Sequence, residues 1–393
     1  MRVHQLLSAA AVASFAGVSV AAPAPVKAVT FPHHAAAAAA PSASSPSSSQ
    51  LPNDGFPKPN ASQLAGINAA ADGTLANSPP PPALNSSSLP VFQLIAFNEN
   101  FEVAFFNSLL YNVTNDVPGY QVLPAEKVAL VRVLTSVLAQ EELHAINAAN
   151  VLTHFKGFVP TPCTYKFPTT DLPAALALAE TFTSLVLGTL QDASQILATN
   201  GDAGPVRAVA SVIGQEGEQN GFYRSLLNRK PSQKPFLTTS VGAFAFSALQ
   251  EFVVSCPFPI SQIPIPVFPP LTVVSGSGGA DISAQDQLLA FTADLTSVAT
   301  AAGPYTSRTG NDTGLYVTYL TGQDTPASVP VLNAQWTDHV LSFDANFPFT
   351  ELVMDGFTIA ALTTGANFTS PDAIPAATLA APGLLQVNDA LLA

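Results

Sequence analysis

"LAQEELHAIN", residues 138–147, sets two glutamates and a histidine inside an apolar, alanine-rich segment. Only 10% of the 393 residues are Asp, Glu, Lys or Arg, far below the usual quarter, so each placed carboxylate is informative. Read in steps of three and four, Leu130, Leu134, Val137, Glu141, His144, Ala148, Val151 and Phe155 share one helical face. Glu141 and His144 therefore point inward among apolar neighbours, whereas Glu142 falls off the stripe and reads as solvated.

The same periodicity extends outward from this segment. Helical stretches are expected at 90–113, 124–155, 173–199, 205–228 and 238–254, four of them opening at or beside a proline, which the first turn of a helix tolerates. The first carries Phe92, Ile95, Glu99, Val103, Phe106 and Leu110 on its stripe, and the third carries Leu176, Glu180, Thr183, Leu187 and Leu190. The fourth carries Val206, Val209, Ile213, Glu216, Asn220, Tyr223 and Leu227, with Gln219 beside the line three residues after Glu216. Four helices thus each carry one inward glutamate.

A buried carboxylate without a partner is costly, so it takes up a proton, pairs with a cation or binds a metal. Arg132, Arg207 and Arg224 are the nearest bases along the chain, too few to neutralise four inward acids. One or two divalent cations would answer the charge problem, and oxygen ligands with an imidazole suit iron or manganese, with zinc also compatible. Any one of these glutamates read alone is a surface residue at a stripe edge. Their recurrence at matching depth on consecutive helices is the specific signal.

The flanks set the context. Residues 1–21 have the early Arg, apolar run and small residues of a secretory signal. Residues 22–88, rich in Pro, Ala and Ser, read as a flexible stalk. After 258, β-branched runs punctuated by Pro and turn residues favour a β-rich, sandwich-like domain over 259–393. The fold class expected is therefore mainly α, a four-helix bundle plus a fifth helix over 89–258, with that β domain appended. No run after the signal reads as a membrane span.

A secreted, extracellular location follows as an expectation, with association to cell wall or matrix as one form of it. Cys163 and Cys256 would pair in that compartment, two free thiols being the other reading. Sequons at Asn60, Asn85, Asn112, Asn311 and Asn367 offer glycan sites. The formal net charge of -13 argues against nucleic acid and anionic membrane as partners. No G-x-S-x-G elbow occurs, and His154 and His339 lack an evident nucleophile, which disfavours a hydrolase.

Taken together, "FNENFEVAFFNSLLY", "LAQEELHAIN", "ALAETFTSLVLGTLQDAS", "IGQEGEQNGFYR" and "LQEFVVSCPFP" resemble the ferritin-like superfamily. The likeness is to secreted fungal proteins described as late sexual development or stress-response proteins, distantly similar to plant desiccation-related proteins. The resemblance implies a mono- or di-metal carboxylate site with Glu99, Glu141, His144, Glu180 and Glu216 as ligands. Gln219 stands where many members have a second His, which would weaken one metal position. A metal-free structural or protective protein that reuses the bundle is the alternative. The resemblance also implies that Cys163 and Cys256 meet at one end of the bundle. Gly217 and Gly221 in the fourth helix suggest either a close helix approach or a local bulge.

Overall fold

The computed structural model describes residues 51–275 and 281–387; the signal segment and the stalk up to residue 50 lie outside the described residues. Helix α1 spans Ala61–Ala70, α2 Leu89–Thr114, α3 Pro124–His154, α4 Leu172–Thr199, α5 Ala203–Leu226 and α6 Gly242–Gln250. Prolines sit in the first turn of α2, α3 and α4, where the missing N–H has no helical partner in any case. The longest helices pack as two pairs, α2 with α3 and α4 with α5, so their apolar stripes face a shared interior. Phe97, Phe101, Phe106, Phe182, Tyr223 and Phe246 fill part of it, with Phe101 and Phe182 edge to face at 5.2 Å.

A helical bundle followed by a β-rich region is the observed architecture. A two-stranded ribbon, β1 (Thr164–Tyr165) with β2 (Val253–Ser255), ties the α3–α4 connection to the chain after α6. The Cys163–Cys256 disulfide closes beside it. The remaining strands are β3 (Thr272–Val273), β4 (Asp281–Ile282), β5 (Gln287–Asp294), β6 (Tyr316–Thr321), β7 (Ala327–Pro330), β8 (Leu332–Thr337), β9 (Val340–Phe347), β10 (Gly356–Thr363) and β11 (Thr378–Val387). They form a five-stranded sheet, β4-β11-β10-β6-β7, and a four-stranded sheet, β3-β5-β9-β8.

Side chains from both sheets, among them Phe291, Phe343, Phe347, Tyr319 and Leu362, make one core, as in a sandwich. The outer face of the five-stranded sheet is covered too. Ile359, Phe357 and Leu320 pack on Leu185 of α4 and Phe244 and Ala245 of α6. Packing on both faces leaves every residue of β10 buried, without alternation.

Four expectations need correction. The stalk does not run unstructured to residue 88: α1 is capped by Asn60 in a capping box with Gln63, and Ile67 and Ala71 pack on Ala139 and Leu143 of α3. That cover buries Glu142, which is 1% exposed and not solvated. The fifth helix is shorter than 238–254, because Thr238 hydrogen-bonds Phe357 and Gly322 of the β domain and residues 253–255 become β2. Finally, α4 is long and apolar enough to cross a membrane by length and composition, although its window is 72% buried inside the protein.

Candidate metal centre

The inward stripes bring three of the four expected glutamates together. Ligand atoms of Glu99 (α2), Glu141 and His144 (α3) and Glu216 (α5) all lie within 4.8 Å of one another. The three glutamates are at most 1% exposed, and the His144 side chain is 17% exposed. His144 turns Nδ1 to the acids, 2.9 Å from Glu141 Oε2, 3.6 Å from Glu99 Oε2 and 3.8 Å from Glu216 Oε1. Their i, i+3 spacing on α3 is what aims Glu141 and His144 at the same point.

Charge crowding marks the site. Burial, moderated by His144, pushes the Glu99 carboxyl up to about 7. Burial, then Glu99 and Glu141, holds Glu216 well above the usual carboxylate range. For His144, burial works against the charged form, but Glu141 and Glu99 more than offset it and the imidazole is raised well above its ordinary value. Glu99 Oε2 and both oxygens of Glu216 accept no hydrogen bond from the protein, although buried acceptors are nearly always satisfied. Orphaned carboxylate oxygens converging with one imidazole are the donor set of a hard divalent cation, and the residues present fit one.

Two residues of the expected ligand set do not join this group. Glu180 lies between guanidinium groups: Arg224 Nη1 donates to its Oε1 and Arg229 Nη1 to its Oε2 at 2.9 Å. Arg229 then reaches Asp281 of β4 at 2.7 Å. Bases expected to be too few for four inward acids thus serve one of them: Arg224 is buried in the bundle, Arg229 enters from the loop after α5, and both pair with Glu180. Burial still raises the Glu180 carboxyl, with Arg224 and Arg229 pulling it back.

Gln219 presents its amide nitrogen to the site, donating to Glu141 Oε1 at 2.7 Å and to Gln140 Oε1 at 3.1 Å. Its oxygen receives Tyr223 Oη at 3.4 Å. Facing two acceptors, the amide is held as a donor that orients Glu141, not as a ligand. Tyr223 is buried with its ring stacked on Phe106.

Sequence reasoning missed Glu102. It is 1% exposed, accepts Asn98 Nδ2 at 3.2 Å, and is raised well above its usual value by burial and by Glu141, Glu216 and Glu99. Its spacing of three from Glu99 was the available signal. Gly217 marks no tight approach, since a Cβ there would meet nothing within 4 Å, and at Gly221 only ordinary contact with Pro231; α5 is continuous through both. Of the sequon residues, Asn60, Asn85, Asn311 and Asn367 are exposed, while Asn112 is half-buried within α2.

A family model described as "Ferritin-like domain" matches residues 89–229. Residues 89–229 are a ferritin-like domain. The matched span starts with α2 and ends on Arg229, so it contains the acid cluster and both guanidinium groups around Glu180. Comparison with curated proteins returns no match. The ferritin-like fold is shared by storage, oxygenating and redox-silent proteins, so the function has to be argued from the site.

Proposed function

We propose that the ferritin-like domain binds one iron or manganese ion through Glu99, Glu141, His144 and Glu216. The observation that carries this is the convergence of three buried carboxylates and one imidazole with oxygens that nothing in the protein satisfies. A single ion is favoured over a pair, because Glu180 is engaged by two arginines and Gln219 offers an N–H to Glu141. Bound there, the metal would supply Lewis-acid or redox chemistry; Gln219 orients Glu141, and Tyr223, stacked on Phe106, packs against Gln219. Zinc is compatible with the ligand set as well.

Around that site we propose a secreted protein of fungal development or stress response, supported by the resemblance of its helical segments, the signal-like N-terminus, the sequons and the Cys163–Cys256 disulfide. A second reading, a metal-free protective or structural protein associated with the cell wall, draws on the Arg-neutralised Glu180 and the amide at Gln219.

Elemental analysis of protein from iron- and manganese-replete culture separates the two. About one metal per chain in the wild type and none in Glu141→Ala/His144→Ala supports metal binding. A wild type free of metal that retains wall polysaccharide supports the scaffold.

A further inference from the structure

Glu141 is met by a chain of side-chain amides that runs outward to α1. Gln219 Nε2 donates to Glu141 Oε1 at 2.7 Å and to Gln140 Oε1 at 3.1 Å. Gln140 Oε1 also receives Gln215 Nε2 at 2.9 Å, and Gln140 Nε2 donates to the Ala71 carbonyl at 3.3 Å. Ala71 caps the C-terminus of α1, where the last carbonyls have no partner within the helix. One turn earlier on α3, Ser136 Oγ makes a second tie to the same end of α1, donating to the Ala70 carbonyl at 2.8 Å.

The polarity of the amide chain is set from both ends. A backbone carbonyl can only accept, so Gln140 turns its nitrogen to Ala71 and presents its oxygen inward. That oxygen has two lone pairs, and Gln215 and Gln219 take both. Gln219 has two side-chain N–H groups, and Gln140 and Glu141 take both. Reversing Gln140 would set its oxygen against the Ala71 carbonyl and its nitrogen against two amide nitrogens. Reversing Gln219 would set an amide oxygen against a carboxylate. Gln219 is 7% exposed, so bulk water does not replace a lost partner, and an unpaired buried polar group is costly.

We propose that Gln140 is a positioning residue for the metal centre. Held by α1 through Ala71, it fixes Gln219 as the donor to Glu141 Oε1 and so keeps Glu141 Oε2 turned to His144, 2.9 Å away. Its effect on metal affinity rests on the metal reading above; the amide relay itself does not.

Two measurements on the full chain test it. Outer partners of metal ligands typically account for ten- to hundredfold in affinity, and Gln140 stands one hydrogen bond further out, so Gln140→Leu should weaken manganese binding about tenfold in an electron paramagnetic resonance titration. Gln140→Glu keeps an acceptor for Gln219 and should bind manganese no more than about threefold more weakly than the wild type. Ser136→Ala cuts the other tie to α1, spares the relay and should leave the affinity unchanged. In metal-free protein labelled with nitrogen-15 glutamine, the Nε2 protons of Gln219, identified by their absence from Gln219→Met, should exchange slowly with solvent in the wild type and in Gln140→Glu. In Gln140→Leu at least one of them should exchange about tenfold faster.

Unchanged exchange in Gln140→Leu would overturn the relay. Unchanged manganese affinity in Gln140→Leu, an equal loss in Ser136→Ala, or an equal loss in Gln140→Glu would overturn the positioning role. A wild type that binds no manganese yet shows the expected exchange pattern would leave the relay standing and remove the metal reading alone.

Discussion

Glu180 and the Glu99–Glu141–Glu216 group are buried glutamates of one bundle, each set on an apolar stripe, yet their surroundings are opposite. Glu180 is gripped by Arg224 and Arg229. The other three share one imidazole, and Glu99 and Glu216 keep oxygens that accept nothing. The first arrangement is a closed ion-pair network linking the bundle to Asp281 of the β domain. The second is an excess of negative charge held in low dielectric, which a structure tolerates by protonation or by a bound cation. An inward acid is therefore a structural strut or a ligand according to what meets it.

The sharpest way to break this contrast is to remove the compensation. Arg224→Met leaves Glu180 with Arg229 alone, and breaking a buried pair typically costs about 3–5 kcal/mol. Urea unfolding should show a loss toward the lower end of that range, with metal content unchanged, and Glu180→Gln in the same chain should recover part of it. If Arg224→Met abolished metal binding at wild-type helicity, the two acid sites would not be independent.

Metal should act on the other set only. Manganese at a hundredfold excess over its Kd should stabilise the wild type by about 2.7 kcal/mol, read as a rise in the urea midpoint. Glu141→Ala/His144→Ala should show no such rise, whereas Glu180→Gln should retain it.

Asp192 is an intermediate case, a half-buried acid met by one backbone N–H. Burial, with Asp372 nearby, pushes it up to about 6 despite the hydrogen bond from Gly242. Between its ordinary pKa of 3.8 and that value, the folded state binds more protons than the unfolded one. Stability from this group is complete below pH 3.8 and is lost as pH rises through 6. Asp192→Asn keeps an acceptor for Gly242 and should lack this slope. Unfolding at pH 4 and pH 6.5 should show the variant gaining about 1–2 kcal/mol on the wild type over that interval, allowing for partial exposure.

The smallest effect concerns the helix that carries Glu216. Gly217→Ala should stabilise by up to about 1 kcal/mol with metal content unchanged, because a Cβ there meets open space. Gly188→Ala should destabilise instead, since its Cβ would come within 2.4 Å of Thr238 O. Differential scanning calorimetry on the two variants separates them by sign.

Much of the bundle was legible from residue spacing. The apolar period of 3.6 and the prolines at helix starts located α2 to α5 within a few residues, and Glu99, Glu141, His144 and Glu216 lie on those stripes. Glu142 was misread because periodicity describes a helix in isolation; α1 covers the face opposite the bundle interior, and α1 came from a segment whose composition suggested disorder. Glu102 was missed for a related reason. A bundle this apolar buries more than one stripe of α2, so a residue off the line is still inside.

By itself the sequence determined the four long helices, the face of each that turns inward, and that acids too numerous for local bases ride on those faces. Periodicity and scarcity of charge are properties of single segments, and they survive without knowledge of the neighbours. Only the tertiary structure decided which acid becomes which: Arg229 arrives from the loop after α5, Arg224 turns inward toward Glu180, and Gln219 points its N–H at Glu141. A buried charge is governed by the groups within a few ångströms of it, and those groups come from distant parts of the chain.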